Sequence, residues 1–437
     1  MRANQYRLAD MSPSIRFWLS VTSLLVCIPL HGAPINIGLG LEIASEDNAL
    51  NTVDTTQSEL TTRPSVHLRH DGVGPSYTSD IDYSLIQDRY RNGTFSDSTR
   101  GSGQLNLTWV NVPGRLEWTL SHQSERALAD ESLADTPENE ADRDTTSVQG
   151  RLTFGFTNGL HVHYSPSVRR LGVDVPSQDT REIDAVTHQI ELRRIVSSTL
   201  AVQLALDESS VTRQDATDFT TRSLRAGLVF QSPVLQLQIS GGPQELNDDS
   251  ATGRDTTSFN IDASILLAIG QFNFRSTRQL TDATSGIAGD QSASAPPIGT
   301  DQTSEFGDEL QEIRRRELAW TIPLSTRVSF TTTASRERRV SIANDASQIY
   351  NNTASLVRYQ FNPTMDVQLT YSSIEGNEQP SFLIDRNLGT IVLTKLFNQR
   401  LSMNLTWQRN RQRLNDQIAQ SDSTLLGLQY CLTACAN

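Results

Sequence analysis

From Pro34 onward, apolar and polar side chains alternate with period two. Ile35, Ile37, Leu39, Leu41 and Ile43 are interleaved with Asn36, Gly38, Gly40 and Glu42. The same rhythm returns at 116–120, 152–156, 200–206, 365–371 and 401–407. Successive side chains of a strand point to opposite faces, so each segment predicts a strand with one apolar and one polar face. Long runs at helical spacing are absent from the pattern.

The connections alternate in length. Short turns are predicted near 72–75, 111–114, 157–159, 196–198, 232–233, 269–270, 322–325, 362–364 and 397–399. Long polar stretches lie between them, among them 129–146, 241–257, 280–308 and 376–386. Nine turns join eighteen strands, and strands at Ile35 and at Thr424–Tyr430 bring the count to about twenty, within a range of 18–20. Lipid satisfies no backbone N–H or C=O group, so a spanning sheet must close on itself. The fold class predicted is therefore all-β: a single transmembrane antiparallel β-barrel with short periplasmic turns and long extracellular loops. A secreted β-sandwich or solenoid shares the period, but it would have to pack its apolar faces against one another. The loop asymmetry favours the barrel. Aromatic residues beside the short turns, Trp109, Trp118, Phe156, Phe230, Phe272, Trp320 and Phe361, predict a girdle at the periplasmic headgroup boundary.

Ahead of this ladder, Arg2, Arg7 and Arg16 precede an apolar run, Phe17–Leu30, followed by Gly32 and Ala33. That order is a secretory signal peptide over residues 1–33, and the run is short for an uncleaved anchor. The expected organisation is signal 1–33, outer-membrane barrel 34–430 and C-terminal tail 431–437. No plug segment is expected between signal and first strand, which counts against an energy-coupled siderophore transporter. Beyond the signal, the cysteines are Cys431 and Cys435. Their spacing allows a short-loop disulfide in an oxidising compartment, with two free thiols the expected state.

Composition narrows the classes further. The chain has 437 residues, 37 basic and 50 acidic, for a net charge of −13, with 36% hydrophobic residues. Its mean hydropathy is −0.39. A helical membrane protein needs several apolar runs of about 20 residues, and these are missing. An acidic pI of 5.0 speaks against a nucleic-acid partner. Lysine occurs once, at Lys395, so arginine supplies nearly all the positive charge. Arg115, Glu117, Arg151, Glu191, Arg193, Arg225, Arg275 and Arg358 fall on polar faces and are the candidate lumen-facing residues. Arginine forks across carboxylates would stiffen a wet wall, and the same groups would suit an anionic or hydroxylated polymer; wall reinforcement is the favoured reading. The run 130–144 carries seven acids and one arginine, the mark of a solvated loop. The 280–308 stretch, with Pro296-Pro297, is long enough to fold into the lumen or to stay in solvent.

Candidates for chemistry are few. His161 and His163 share one polar strand face, but no third ligand at matching spacing accompanies them. His67 and His70 fall on opposite faces. His122 and Ser124 have base-and-nucleophile spacing, yet His122 continues the apolar register of Leu116, Trp118 and Leu120, and no orienting third group follows. Asp80 and Asp82 share a face as ordinary solvated acids. The expectation is a non-enzymatic barrel with no catalytic residue, metal or cofactor.

The start of the mature chain reads Gly40-Leu41-Glu42, Ser45-Glu46-Asp47-Asn48, Pro64-Ser65-Val66 and Ser79-Asp80-Ile81-Asp82-Tyr83. With the ladder that follows, it resembles the outer-membrane β-barrel proteins associated with PEP-CTERM sorting systems and exopolysaccharide gene clusters. The resemblance implies a bacterial outer-membrane location and an accessory, passage or scaffold role in exopolysaccharide production or export. It brings no catalytic residues. Expected partners are outer-membrane lipid and lipopolysaccharide, the barrel-assembly machinery, and exopolysaccharide or its export components. A general or solute-specific porin is the alternative, and an outer-membrane hydrolase or surface adhesin stands behind it. One departure is the C-terminus: Leu426, Leu428 and Tyr430 form a terminal strand, but seven residues follow where such barrels commonly end on an aromatic.

Overall fold

In a computed structural model, residues 35–432 are described apart from 51, 53–55, 129–135, 157–158, 175–180, 215–216, 249–253, 283–309, 343–346, 379–381 and 415–416. The expected signal peptide, most of the 280–308 stretch and Cys435 lie outside the described residues.

Twenty strands follow in chain order: β1 (Asn36–Glu46), β2 (Glu59–Val73), β3 (Tyr77–Tyr90), β4 (Ser98–Val112), β5 (Leu116–Leu128), β6 (Glu140–Gly155), β7 (Leu160–Asp174), β8 (Arg181–Ile195), β9 (Leu200–Arg213) and β10 (Phe219–Gln231). The second half comprises β11 (Leu235–Asp248), β12 (Arg254–Leu267), β13 (Gly270–Asp282), β14 (Leu310–Pro323), β15 (Val328–Ser341), β16 (Ser347–Asn362), β17 (Met365–Glu378), β18 (Phe382–Asn398), β19 (Leu401–Leu414) and β20 (Gln417–Cys431). Each strand pairs antiparallel with the next, and β1 pairs with β20, Leu39 opposite Tyr430 and Ile43 opposite Leu426. The sheet is a closed barrel without a free edge, as the alternation predicts.

Closure extends past the boundary expected from the sequence. β20 runs to Cys431, opposite Gly38, and the Leu432 N–H still donates to the Ile37 carbonyl at 2.8 Å. Cys431 is disulfide-bonded, which corrects the expectation of free thiols. At the short-turn rim, Gly114 takes φ +70°, a conformation that a side chain would strain.

The apolar face is outside. Leu39, Leu41, Val202, Leu204, Leu206, Leu228, Ile239, Leu405 and Leu428 are all exposed to the surroundings of the barrel. Such a surface is stable only against hydrocarbon, so the architecture is that of an outer-membrane barrel. A tilted strand crosses the apolar layer in about 9–11 residues. Most strands here have 13–17, so their loop-side ends stand clear of the membrane. On β9, for example, Leu200, Val202, Leu204 and Leu206 give way on the same face to Glu208 and Ser210.

Candidate functional site: the lumen and its extracellular mouth

Register places Glu117, Arg151, Glu191, Arg193, Arg225, Arg275 and Arg358 on the face opposite the lipid-facing leucines and aromatics of their strands. Arg115 sits in the turn before β5, where its N–H donates to the Val112 carbonyl. Four of these arginines meet a carboxylate. Arg151 lies 3.5 Å from Glu117, Arg225 2.8 Å from Asp207, Arg275 3.2 Å from Asp262, and Arg358 3.5 Å from Asp366. Each pair spans neighbouring strands, so it ties the wall from inside, although half-exposed pairs of this kind add only about 0–1 kcal/mol each. Glu191 and Arg193 stand opposite His163 and His161. The two histidine rings stack at 6.3 Å, and His163 Nδ1 bonds the Thr153 hydroxyl at 3.0 Å. Among the described residues no group of three His, Cys, Asp or Glu side chains is placed to hold a metal.

The aromatics Trp109, Trp118, Phe230, Phe272 and Trp320 share the outward face near the short turns, with Phe156 and Phe361 exposed at the same rim. Trp109 and Trp118 are directly opposite each other, as are Phe272 and Trp320. His122 is on this outward face too, and its Nδ1 bonds the Tyr83 hydroxyl at 2.8 Å. The Ser124 hydroxyl donates to the Gly101 carbonyl. Tyr83 lies across Gly103, where an added Cβ would stand 2.5 Å from Tyr83 Cδ1, so the close approach needs glycine. His67 lines a lumen groove of about 340 Å³ with Asp82, Ser84, Gln104 and Gln123. His70 is buried on the other face, as the sequence spacing requires.

Near the extracellular end the pattern inverts. Ala141, Leu171, Val173, Ile183, Ala185, Val211, Phe219 and Leu246 occupy lumen-facing positions on β6 to β11, and all are buried in one cluster. The outward positions at the same height are charged and paired: Arg170 with Asp184, and Arg222 with Glu208. Leu280 of β13 belongs to the inner cluster although its parity is outward. The reason is visible in the pairing. β12 and β13 separate above Phe259–Arg278, whereas β13 and β14 stay paired to Asp282–Leu310. The hairpin then leans inward over the lumen face of β11 and β12. Gln244 clamps it, accepting from the Leu280 N–H at 3.0 Å and donating to the Leu280 carbonyl at 3.2 Å. Arg278 holds Glu312 and also reaches the Thr256 hydroxyl of β12 at 2.9 Å.

Three carboxylates anchor this end. Burial raises Glu312, but hydrogen bonds from Arg278 and Arg314 outweigh it and hold the carboxyl below its ordinary range. Glu59 behaves alike: burial raises it, while N–H donors of Asn92, Thr94 and Leu60 at 2.8–3.0 Å bring it below that range. Asp88, nearly fully buried, lies between Arg63 at 2.8 Å and Arg100 at 3.1 Å. None of these groups stood out in the sequence. The signal that marks them is the loss of alternation: 171–173, 183–185 and 211 put apolar residues on the face that is polar lower down.

No protein-family model matches the chain, and no curated protein matches it in sequence. Solved structures share its fold. The siderophore receptor PirA from Acinetobacter baumannii aligns over 92% of this chain and 81% of that chain, with a TM-score of 0.51 at 7% identity. The FrpB iron transporter from Neisseria meningitidis (F5-1 variant) aligns over 92% and 83%, with a TM-score of 0.50 at 9% identity. At these identities the likeness is one of barrel architecture.

Proposed function

We infer that this barrel is a non-enzymatic conduit or scaffold of the outer membrane that serves exopolysaccharide production or export. The observation that carries the reading is the mouth, where the β13–β14 hairpin leans across a wet, arginine-and-carboxylate wall and packs on an apolar collar. A passage built this way stays narrow until cargo or a partner displaces the hairpin. The lumen below offers hydrogen-bonding groups of both signs, which suit a hydroxylated or acidic chain moving without chemistry. The link to exopolysaccharide comes from the resemblance of the first mature residues.

Two measurements test the reading. In planar bilayers, wild-type protein should conduct little, and Gln244→Ala, which removes both bonds to Leu280, should open the pore several-fold more often. A stable, fully open wild-type pore permeable to small solutes would make it a porin instead. In cells, deletion of the gene should reduce secreted polysaccharide while leaving lipid and peptide hydrolysis unchanged. Undiminished secretion would remove the exopolysaccharide link.

A further inference from the structure

The outward face of β14 and β15 differs from the rest of the charged rim. Arg316 stands directly opposite Arg336, and Arg314 directly opposite Arg338. All four are exposed. Like charges in directly opposed positions repel and destabilise a strand pair. Other outward arginines of this rim meet acids, Arg126 with Glu140 and Asp142, Arg170 with Asp184, Arg222 with Glu208 and Arg409 with Asp422, and those without an acid partner among the described residues, Arg89 and Arg411, face no arginine across the strand pair. In the β14–β15 patch Arg314 shares Glu312 with Arg278. Arg316, Arg336 and Arg338 have no carboxylate partner among the described residues.

The patch sits directly above the apolar belt. On β14 the outward positions Ile322, Trp320 and Leu318 separate Arg316 from the short turn. On β9, Leu200, Val202, Leu204 and Leu206 separate Glu208 from its turn. On β15, Val328, Phe330, Thr332 and Ala334 precede Arg336, the same interval as on β9. The lower arginines thus emerge at the upper edge of the apolar belt, where long side chains extend their charged ends toward the headgroup layer.

We propose that Arg316, Arg336 and Arg338 form a binding site for the phosphate groups of a phosphorylated glycolipid in the outer leaflet. An anion between the opposed Arg316 and Arg336, with Arg338 beside them, turns their repulsion into charge-assisted hydrogen bonds, for which the planar guanidinium fork is suited. The acyl chains of the same lipid lie against Leu318, Trp320 and Phe274 directly below. A soluble phosphate lacks that second contact, so the site selects the lipid-borne group.

The test uses full-length barrel purified in detergent and freed of lipid, with bis-phosphorylated lipid A as probe. Wild-type protein should retain lipid A by native mass spectrometry, and Arg316→Gln/Arg336→Gln should lower its affinity at least about ten-fold, since each charged bond lost is worth about that factor. Dephosphorylated lipid A should bind the wild type as weakly as the variant binds the probe, and millimolar inorganic phosphate should not displace it. Arg222→Gln, at a paired outward site, should leave binding unchanged. A separate sign distinguishes the site from a structural role: without lipid the double variant should melt at or above the wild-type temperature, and added lipid A should raise the melting temperature of the wild type alone. Equal retention of lipid A by the folded variant, equal binding of the dephosphorylated lipid, or displacement by inorganic phosphate would each overturn the proposal.

Discussion

The lower wall and the mouth obey opposite rules. On β7 to β11 the periplasmic two-thirds is apolar outside and polar inside; at the loop end charged pairs face out and leucine, valine and phenylalanine face in. The same backbone alternation serves both, because what differs is the medium on each side. Below, hydrocarbon is outside and water inside. Above, water is outside, and the inner face is covered by an inward-leaning hairpin that acts as a second layer. A strand that continues past the membrane therefore reverses its polarity, as a soluble two-layer fold requires.

The sharpest way to break this contrast is a charge inside the collar. Leu246, fully buried, replaced by Asp should cost about 3–5 kcal/mol, the penalty for an unpaired buried charge. Urea unfolding in detergent, together with proteolysis of the mouth, would show the loss. Next comes the lower wall. Leu204→Arg on the lipid face should cost about 2–4 kcal/mol, whereas the neighbouring lumen change Gln203→Arg should cost little. Equal effects for the two would contradict the assignment of inside and outside.

A smaller effect is expected from pH. Glu312 lies above the belt, and its arginine partners hold it below the ordinary carboxylate range, so its contribution is complete at neutral pH and is lost as pH falls through and below that range. Mouth opening, read as conductance, should rise under acid conditions in the wild type and change less in Glu312→Gln. The smallest effect belongs to the outer rim: Arg170→Gln removes a pair exposed on both sides, and stability should be indistinguishable from wild type in the same unfolding assay.

Much of the barrel was legible in the residues because period two is a strictly local property. Ile35 to Ile43 name their own face, the nine turns announce themselves by length and composition, and Trp109 and Trp320 mark the rim without reference to any partner. Lumen-facing positions such as Arg225 followed from parity alone, and Asp207 then had only to fall on the adjacent strand. The mouth was not legible in this way. Leu171, Val211 and Leu246 look like lapses in the alternation until strands far apart in sequence bring them together. The Gln244–Leu280 clamp joins residues 36 apart across an intervening strand.

The amino-acid order by itself determined the strand period, the strand count, the closure of the sheet and the side that meets lipid, since each follows from neighbouring side chains and the need to satisfy every backbone group. Only the tertiary structure decided which arginines meet carboxylates and which meet other arginines, and where the wall bends inward. Those outcomes depend on register between strands and on the β12–β13 separation, and a single residue of slip would exchange every inner contact for an outer one.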